Sequence, residues 1–253
     1  MRSWFPPIVV GVLIVVLWQV LTVAAGLPSF LLPAPSAIAS AIHTDAHNIA
    51  EAAASTGGNA LFGLVAGALL GIFAAALAVR FRPVDGLLGP LSAAAATVPI
   101  VALAPLLNSM YGTTTDLPRR LVATIVVFFP VYVSTLKGLR QVPRVHADLM
   151  TAYAATGWQV TRTVRLPAAL PHLFTGLRIA APGAVIAALI AEYFGGLQHG
   201  LGSRITSAAA NTAYPRAWAY VAAAMVLGLL FLAAVLLLER LTRRPRIIGW
   251  RRK

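Results

Sequence analysis

The chain has 253 residues, of which 59% are hydrophobic and only 11% are charged, whereas a soluble domain of this size carries about a quarter charged residues. This composition excludes an ordinary water-facing fold, and the absence of cysteine excludes a disulfide framework and a thiolate metal site. The formal net charge of +13 is typical of nucleic-acid-binding proteins, but the distribution of the basic residues argues against that class.

Six apolar segments are long enough, or nearly so, to cross a bilayer, which takes about 20 residues per helix. They cover residues 7–25, 57–79, 86–108, 121–136, 173–195 and 217–238. The first segment follows Arg2 and precedes Ala24-Ala25-Gly26, as in a signal peptide, but its length favours a retained spanning helix. The sequence therefore predicts an all-α polytopic membrane protein, with six transmembrane helices in a single domain over residues 1–253.

The basic residues alternate in density from one loop to the next. They are dense at the N-terminus, at Arg80 and Arg82, in the loop over residues 137–171 and in the tail over residues 240–253. The opposite loops hold only Arg119, Arg120, Arg204 and Arg216. Because Lys and Arg accumulate on the cytoplasmic side of membrane proteins, both termini and the 137–171 loop are predicted to be cytoplasmic. This distribution explains the positive net charge without nucleic-acid binding. The basic C-terminal tail is expected to contact anionic lipid.

Between the first two spans lies a polar segment. Leu32-Pro33-Ala34-Pro35-Ser36 predicts an extended entry, and one helix-like stretch follows from Ser36 to Thr56. His43 and His47 are four residues apart and could share a helix face as a metal pair would. A solvated helix surface is the alternative, and no third ligand is placed, so no metal site is predicted.

Small residues and prolines mark the second and third spans. Gly63, Gly67 and Gly71 repeat every four residues, a pattern that lets helices approach closely. Pro99 and Pro105 predict kinks in the third span.

Glu192 is an acid inside the fifth span. A carboxylate at membrane depth is costly and marks a candidate functional residue in a transport pathway or gate. The alternative is a structural carboxylate bonded to a helix end or to Arg178. The sequence leaves both open.

The long loop over residues 137–171 has a helical pattern of its own. Val145, Leu149 and Ala152 recur at helical spacing after Pro143, which suits a first helical turn. Thr156-Gly157-Trp158-Gln159 fits a capping box and predicts a second helix from Gly157 to about Arg165 that stops before Pro167. Such an amphipathic hairpin could dock on a protein or rest on the membrane surface, and the pattern leaves both open.

No catalytic constellation and no glycine-rich phosphate loop occur in the sequence. The chain is therefore predicted not to be an enzyme and to bind no cofactor itself.

At the loop the chain resembles the integral-membrane permease of binding-protein-dependent ABC importers. These permeases carry the motif E-A-A-x-x-x-G, then nine residues, then I-x-L-P. Anchoring on Val164-Arg165-Leu166-Pro167 puts Asp148 at the glutamate position, Leu149 and Met150 at the alanines and Ala154 at the glycine. Because alanine disfavours positive φ, Ala154 is expected at negative φ, with Ala154-Ala155 making the turn.

The nitrate, sulfonate and taurine branch of these permeases is similar over nearly the whole chain. The matching pieces are Leu32 to Ser36, Pro99 with Ala104-Pro105-Leu106, Phe128-Phe129-Pro130, Gly138-Leu139, Leu166 to Pro171, Gly176 to Ala180, Ala191-Glu192 and Gly200-Leu201-Gly202.

This resemblance implies a type I ABC importer permease with a MetI-like fold, in a bacterial inner membrane. It implies a translocation pathway formed with a second permease copy, as a homodimer or heterodimer. It also implies ABC ATPase subunits that carry the ATP and magnesium, and a periplasmic or lipid-anchored solute-binding protein. The residues implied in ATPase coupling are Asp148, Leu149, Ala152, Ala154, Ala155, Thr156, Gly157, Trp158, Gln159, Leu166 and Pro167.

The expected function is import of a small solute, such as a sulfonate, nitrate or vitamin precursor, by alternating access coupled to the ATPase. The alternative is an ion-coupled secondary transporter in which Glu192 is the coupling acid. The scarcity of ionisable residues in the apolar segments argues against this alternative.

Overall fold

A computed structural model describes residues 5–95, 99–141, 144–195 and 199–242, so Pro143 and the tail beyond Thr242 lie outside the described residues. The described chain is helical and contains no strand, which confirms the all-α prediction. The helices are α1 (Phe5–Ala24), α2 (Pro35–Thr44), α3 (Ala46–Arg80), α4 (Arg82–Ala95), α5 (Ile100–Tyr111), α6 (Leu117–Arg140), α7 (Arg144–Ala152), α8 (Gly157–Val160), a π-helix (Thr161–Arg165), α9 (Leu166–Tyr193), α10 (Leu201–Ala210) and α11 (Tyr214–Thr242).

Four helices are long and apolar enough to cross a membrane by length and composition. They are α3, α6, the continuous helix Gly157–Tyr193 and α11. The first predicted span is α1, whose apolar part, Ile8–Ala24, is shorter. The second, fourth, fifth and sixth predicted spans each overlap one of these long helices, whereas the third does not.

The third predicted span, residues 86–108, is two helices instead of one. α4 ends at Ala95 and α5 begins at Ile100, with Pro99 in an extended conformation before it (φ −70°, ψ 110°). Proline has no N–H for a helical hydrogen bond, and the extended conformation of Pro99 interrupts the helix at that residue. Pro90 and Pro105 lie inside α4 and α5.

The helices alternate in direction. We call the end of the bundle where α6 ends and Gly157–Tyr193 begins the loop end, and the opposite end the far end. An ion pair of 2.8 Å between Asp85 and Arg140 joins the start of α4 to the end of α6 at the loop end. At the far end, Trp18 of α1 packs edge-on against Trp218 of α11, with ring centroids 5.8 Å apart. The described chain therefore begins and ends at the loop end.

The core lies where α3, α6 and α9 meet, and glycine makes the contact possible. A Cβ added at Gly67 would lie 2.6 Å from the Thr124 carbonyl oxygen, and one added at Gly71 would lie 2.9 Å from the Phe128 carbonyl oxygen. These distances are too short for any larger residue. The close helix packing predicted from the four-residue glycine repeat is thus confirmed.

The helix predicted from Ser36 to Thr56 is broken at Asp45 into α2 and α3. Asp45 is buried and forms an ion pair of 2.7 Å with Arg216 at the start of α11. His43 and His47 therefore belong to different helices. Within the described ranges, no group of three His, Asp or Glu side chains could hold a metal ion.

Candidate functional site

The loop predicted to contact a partner is a helical hairpin whose turn is closed by backbone hydrogen bonds. The Ala155 N–H donates to the Met150 carbonyl at 3.0 Å, and the Ala154 N–H donates to the Thr151 carbonyl at 2.9 Å. This pair of bonds is the Schellman motif, which satisfies the last carbonyls of a helix. α7 therefore ends in a defined turn.

Ala154 adopts φ +49°, so the prediction of negative φ at this residue is wrong. The Schellman motif needs a left-handed residue directly after the helix, a position that usually belongs to glycine. In this chain the hydrogen bonds of the turn outweigh the steric cost of the alanine Cβ, which is about 1 kcal/mol. Ala154 thus occupies the position of the motif glycine with the backbone that a glycine would take.

The capping box predicted at the start of the second helix is present. The Gln159 N–H donates to the Thr156 hydroxyl oxygen at 3.4 Å, and the Thr156 N–H donates to the Gln159 side-chain oxygen at 2.7 Å. These bonds satisfy two donors at the start of α8. Gly157 follows in open space, since an added Cβ would meet nothing within 4 Å.

The predicted stop before Pro167 is wrong, because the second helix continues into α9. Residues Thr161–Arg165 form a π-helix, and the Leu166 N–H donates to the Thr161 carbonyl, five residues back. The wider π turn shifts the hydrogen-bond register, so that Pro167, which has no N–H, fits without a break. The hairpin is therefore attached to the core by one continuous helix of 37 residues, Gly157–Tyr193.

The hairpin exposes four large apolar side chains on α7, its turn and α8, which we call the exposed row. Val145 is 74% exposed, Leu149 is 51% exposed, Tyr153 is 77% exposed and Trp158 is 68% exposed. Of the other predicted coupling residues, all but Ala155 are exposed: Asp148, Ala152, Ala154, Thr156, Gly157, Gln159, Leu166 and Pro167. The hairpin thus brings the residues from Asp148 to Gln159 together, whereas Leu166 and Pro167 lie beyond the π-helix.

Glu192 lies at the far end of α9, in contact with two other helices. Its carboxylate accepts a hydrogen bond of 2.8 Å from the Thr56 hydroxyl of α3 and one of 3.0 Å from the Gly202 N–H of α10. The Thr56 hydroxyl oxygen in turn accepts from the Leu201 N–H at 2.8 Å. Glu192 and Thr56 together therefore satisfy two N–H groups at the start of α10, where the helix dipole favours negative charge.

Glycine is required beside this carboxylate. A Cβ at Gly200 would overlap the Glu192 carboxyl group, and one at Gly202 would lie 2.9 Å from the Glu192 Cβ. The other oxygen of the carboxylate is buried without a hydrogen-bond partner among the described residues. We refer to Thr56, Glu192, Gly200, Leu201 and Gly202 as the far-end cluster.

The far-end cluster decides between the structural alternatives for Glu192. The carboxylate is bonded to a helix end, and Arg178 instead pairs with Glu239 of α11. Sequence reasoning missed Thr56 as a partner because it lies 136 residues away. The signal that could have indicated the contact was Gly200-Leu201-Gly202, where two glycines flank the start of a helix.

Residues 67–246 match the family described as the binding-protein-dependent transport system inner membrane component. The chain belongs to this family. It is a membrane-embedded ABC transporter permease subunit for binding-protein-dependent import, and its relatives are transport permeases rather than enzymes. The resemblance noted at the loop is therefore confirmed, because permeases for taurine and aliphatic sulfonates also match.

Two relatives illustrate the similarity of the permease. The riboflavin transport system permease protein RibX of Chloroflexus aurantiacus is 31% identical over 239 residues, covering 92% of this chain and 87% of that protein. The formylaminopyrimidine transport permease protein ThiX of Halalkalibacterium halodurans is 32% identical over 191 residues, covering 76% and 74%. The permease is similar to both over most of its length.

The fold of the permease also matches a solved structure. An amino acid ABC transporter crystallised with histidines superposes with a TM-score of 0.64 at 15% identity, covering 79% of this chain and 96% of that one. At this identity the likeness concerns the fold alone. It supports the type I, MetI-like arrangement of the helices.

Proposed function

We propose that the permease forms the translocation pathway of an importer together with a second permease copy, and that its hairpin docks on a cytoplasmic ATPase. The exposed row formed by Val145, Leu149, Tyr153 and Trp158 carries this proposal. Large apolar side chains exposed on a helical hairpin of this kind fit a groove on a partner protein. The partner chain would hold the ATP and magnesium, and the permease itself would bind no cofactor.

The rigid construction of the hairpin favours docking over rest on the membrane surface. Its turn is closed at Ala154, and its second helix is capped at Thr156. A hairpin that only lay on lipid would need neither a fixed turn nor an unbroken connection to a spanning helix. Both features suit an element that transmits force.

The proposed orientation has both termini and the hairpin in the cytoplasm of a bacterium, with the chain as a multi-pass protein of the inner membrane. Arg80, Arg140 and Arg165 lie at the loop end, as the accumulation of basic residues on the cytoplasmic side requires. The far end would then meet a periplasmic or lipid-anchored solute-binding protein.

The proposed mechanism is alternating access. ATP binding closes two ATPase subunits and moves the two docked hairpins together. Because Gly157–Tyr193 is one helix, which at about 1.5 Å per residue is about 55 Å long, displacement of Trp158 moves α9 as a whole. At the other end of this helix Glu192 holds the start of α10, so that the movement reaches the face where the substrate arrives.

The proposed substrate is a small solute such as a sulfonate, nitrate or vitamin precursor. The names of RibX and ThiX, which refer to riboflavin and formylaminopyrimidine, favour a vitamin or vitamin precursor.

Docking can be tested by co-purification and coupled activity. The permease, its ATPase and its solute-binding protein are co-expressed, and Trp158→Asp is compared with Tyr111→Asp, which changes an exposed aromatic residue at the far end. We expect Trp158→Asp to lose ATPase co-purification and substrate-stimulated ATP hydrolysis while still inserting, and Tyr111→Asp to retain co-purification. If Trp158→Asp retains both ATPase co-purification and substrate-stimulated ATP hydrolysis, docking of the hairpin is contradicted.

The same preparation tests secondary transport. Vesicles that contain the permease alone should take up no riboflavin, taurine or nitrate under a proton or sodium gradient. Uptake under such a gradient that depends on Glu192 would instead support an ion-coupled transporter.

A further inference from the structure

A cavity opens at the loop end, next to the segment that connects the hairpin to the bundle. Its volume is about 390 Å³, within the range of roughly 300–1,000 Å³ that is usual for small-molecule sites. Residues of α3, α6, the π-helix and α9 line it, and its walls are mostly apolar, with Ile72, Val79, Leu139, Leu170 and Leu173 among them. The cavity lies apart from the exposed row of the hairpin and from the far-end cluster.

Two arginines line the same cavity. Arg80 is the last residue of α3, and Arg165 is the last residue of the π-helix. In the described part of the chain, the ion pairs involve other basic residues, and no carboxylate lines the cavity. The Arg80 guanidinium stacks over the Phe81 ring at 5.2 Å, but no carboxylate among the described residues neutralises it or that of Arg165, so both can attract an anion from outside the chain.

A buried hydroxyl group adds a third polar feature. Thr135 of α6 lines the cavity and is only 4% exposed, yet its hydroxyl has no hydrogen-bond partner among the described residues. A buried hydroxyl without a partner is unfavourable unless a ligand or water satisfies it. The cavity thus combines an apolar wall, two cations and an unsatisfied hydroxyl.

We propose that this cavity binds an anionic phospholipid. The phosphate would lie between Arg80 and Arg165, one acyl chain would lie along the apolar wall, and the Thr135 hydroxyl would donate to an ester oxygen. Basic pockets between transmembrane helices on the cytoplasmic side bind such headgroups, and arginine at a helix end reaches the headgroup level. Free phosphate would leave the apolar wall uncovered, which favours a lipid as the occupant.

The position of the lipid has a consequence for coupling. Thr161 and Arg165 belong to the π-helix, so the lipid would contact the segment through which movement of the hairpin reaches α9. This consequence rests on the proposed function. The assignment of the headgroup rests on the proposed orientation, whereas binding itself can be measured on the permease in micelles without an ATPase.

Native mass spectrometry of the purified 253-residue chain tests the site with phosphatidylglycerol and phosphatidylcholine as probes. We expect retention of phosphatidylglycerol over phosphatidylcholine, and a loss of affinity of about fivefold for each arginine removed in Arg80→Gln and Arg165→Gln. Arg162→Gln is the matched control, since Arg162 is exposed and does not line the cavity. Equal retention in the double variant and the wild type, or equal loss in the control, overturns the proposal.

A variant with both arginines intact tests the apolar half of the site. Ala76 lines the cavity and is exposed at the surface, so Ala76→Phe fills space without disturbing the core. We expect it to lower phosphatidylglycerol retention while leaving the unfolding transition unchanged. The proposal is overturned if inorganic phosphate alone displaces the lipid. It is also overturned if Ala76→Phe converts a dimer to a monomer while lipid retention stays intact, because the cavity then has another occupant.

Discussion

The Thr56 hydroxyl of α3 donates a hydrogen bond of 2.8 Å to the Glu192 carboxylate of α9 and accepts one of 2.8 Å from the Leu201 N–H of α10. One hydroxyl group therefore links three helices at the far end of the bundle. Its removal leaves a buried N–H without an acceptor and a buried carboxylate with one donor fewer.

Thr56→Val tests this link, because valine keeps the shape and removes both hydrogen bonds. We expect the free energy of unfolding to fall by about 2 kcal/mol, the usual cost of unsatisfied buried groups. SDS-induced unfolding in mixed micelles measures it. Thr175→Val is the control, since the exposed Thr175 hydroxyl donates only to the Pro171 carbonyl of its own helix. Equal stability of the two variants would show that the link contributes nothing.

Gly200→Ala tests the fit of the loop around Glu192. The added Cβ overlaps the carboxylate, so we expect lower stability and reduced substrate uptake. Combining it with Glu192→Ala should cost less than the sum of the two single changes, because the clash disappears. Gly58→Ala, where a Cβ meets nothing within 4 Å, should be neutral or stabilising. Additive effects in the double variant would contradict this geometry.

Ala154→Gly should stabilise the hairpin. Glycine adopts the left-handed conformation of this residue freely, so we expect a gain of about 1 kcal/mol. Hydrogen exchange of the amides from Met150 to Thr156 should slow correspondingly. Ala152→Gly, two residues earlier at the last position of α7, should speed the same exchange by lowering helix propensity. The prediction fails if both glycines act in the same direction.

Thr156→Ala should loosen the start of α8. It removes one half of the capping box and should cost about 1 kcal/mol of local stability. If the hairpin transmits force from the ATPase, substrate-stimulated ATP hydrolysis should fall while basal hydrolysis by the complex is unchanged. Thr163→Ala, an exposed threonine of the π-helix, serves as the comparison and should leave both rates unchanged.

Local patterns in the sequence were sufficient for the features that depend on neighbouring residues. Hydrophobicity predicted the all-helical fold, and Thr156 with Gln159 predicted the cap that the structure contains. The four-residue repeat at Gly63, Gly67 and Gly71 predicted the close contact with α6. Each of these signals lies within one helix or at one helix end.

The errors arose where two local effects compete or where partners are distant in sequence. At Ala154 the side chain disfavours positive φ, but the carbonyls of Met150 and Thr151 require it. At Pro167 the restriction that proline places on the preceding residue predicted a helix end, but Leu166 is helical (φ −63°, ψ −48°) and the helix continues through the π turn before it. Thr56 and Glu192 meet only because α3 and α9 pack together, which no local pattern reveals.

The helix that joins the hairpin to the core also fixes an angle. Within Thr161–Arg165 the wide turn holds one residue more than an α turn, so the removal of one residue there would give an ordinary turn with little change in the direction of Trp158. Each residue of an α-helix turns the chain by about 100°, so the removal of one residue from residues 166–169 would instead rotate Trp158 by about that amount around the axis of α9. Trp158 would then face away from its present direction with its side chain intact. A single-residue deletion in the α-helical part would therefore misdirect the hairpin as effectively as the loss of its aromatic side chains, whereas one in the π-helix would not.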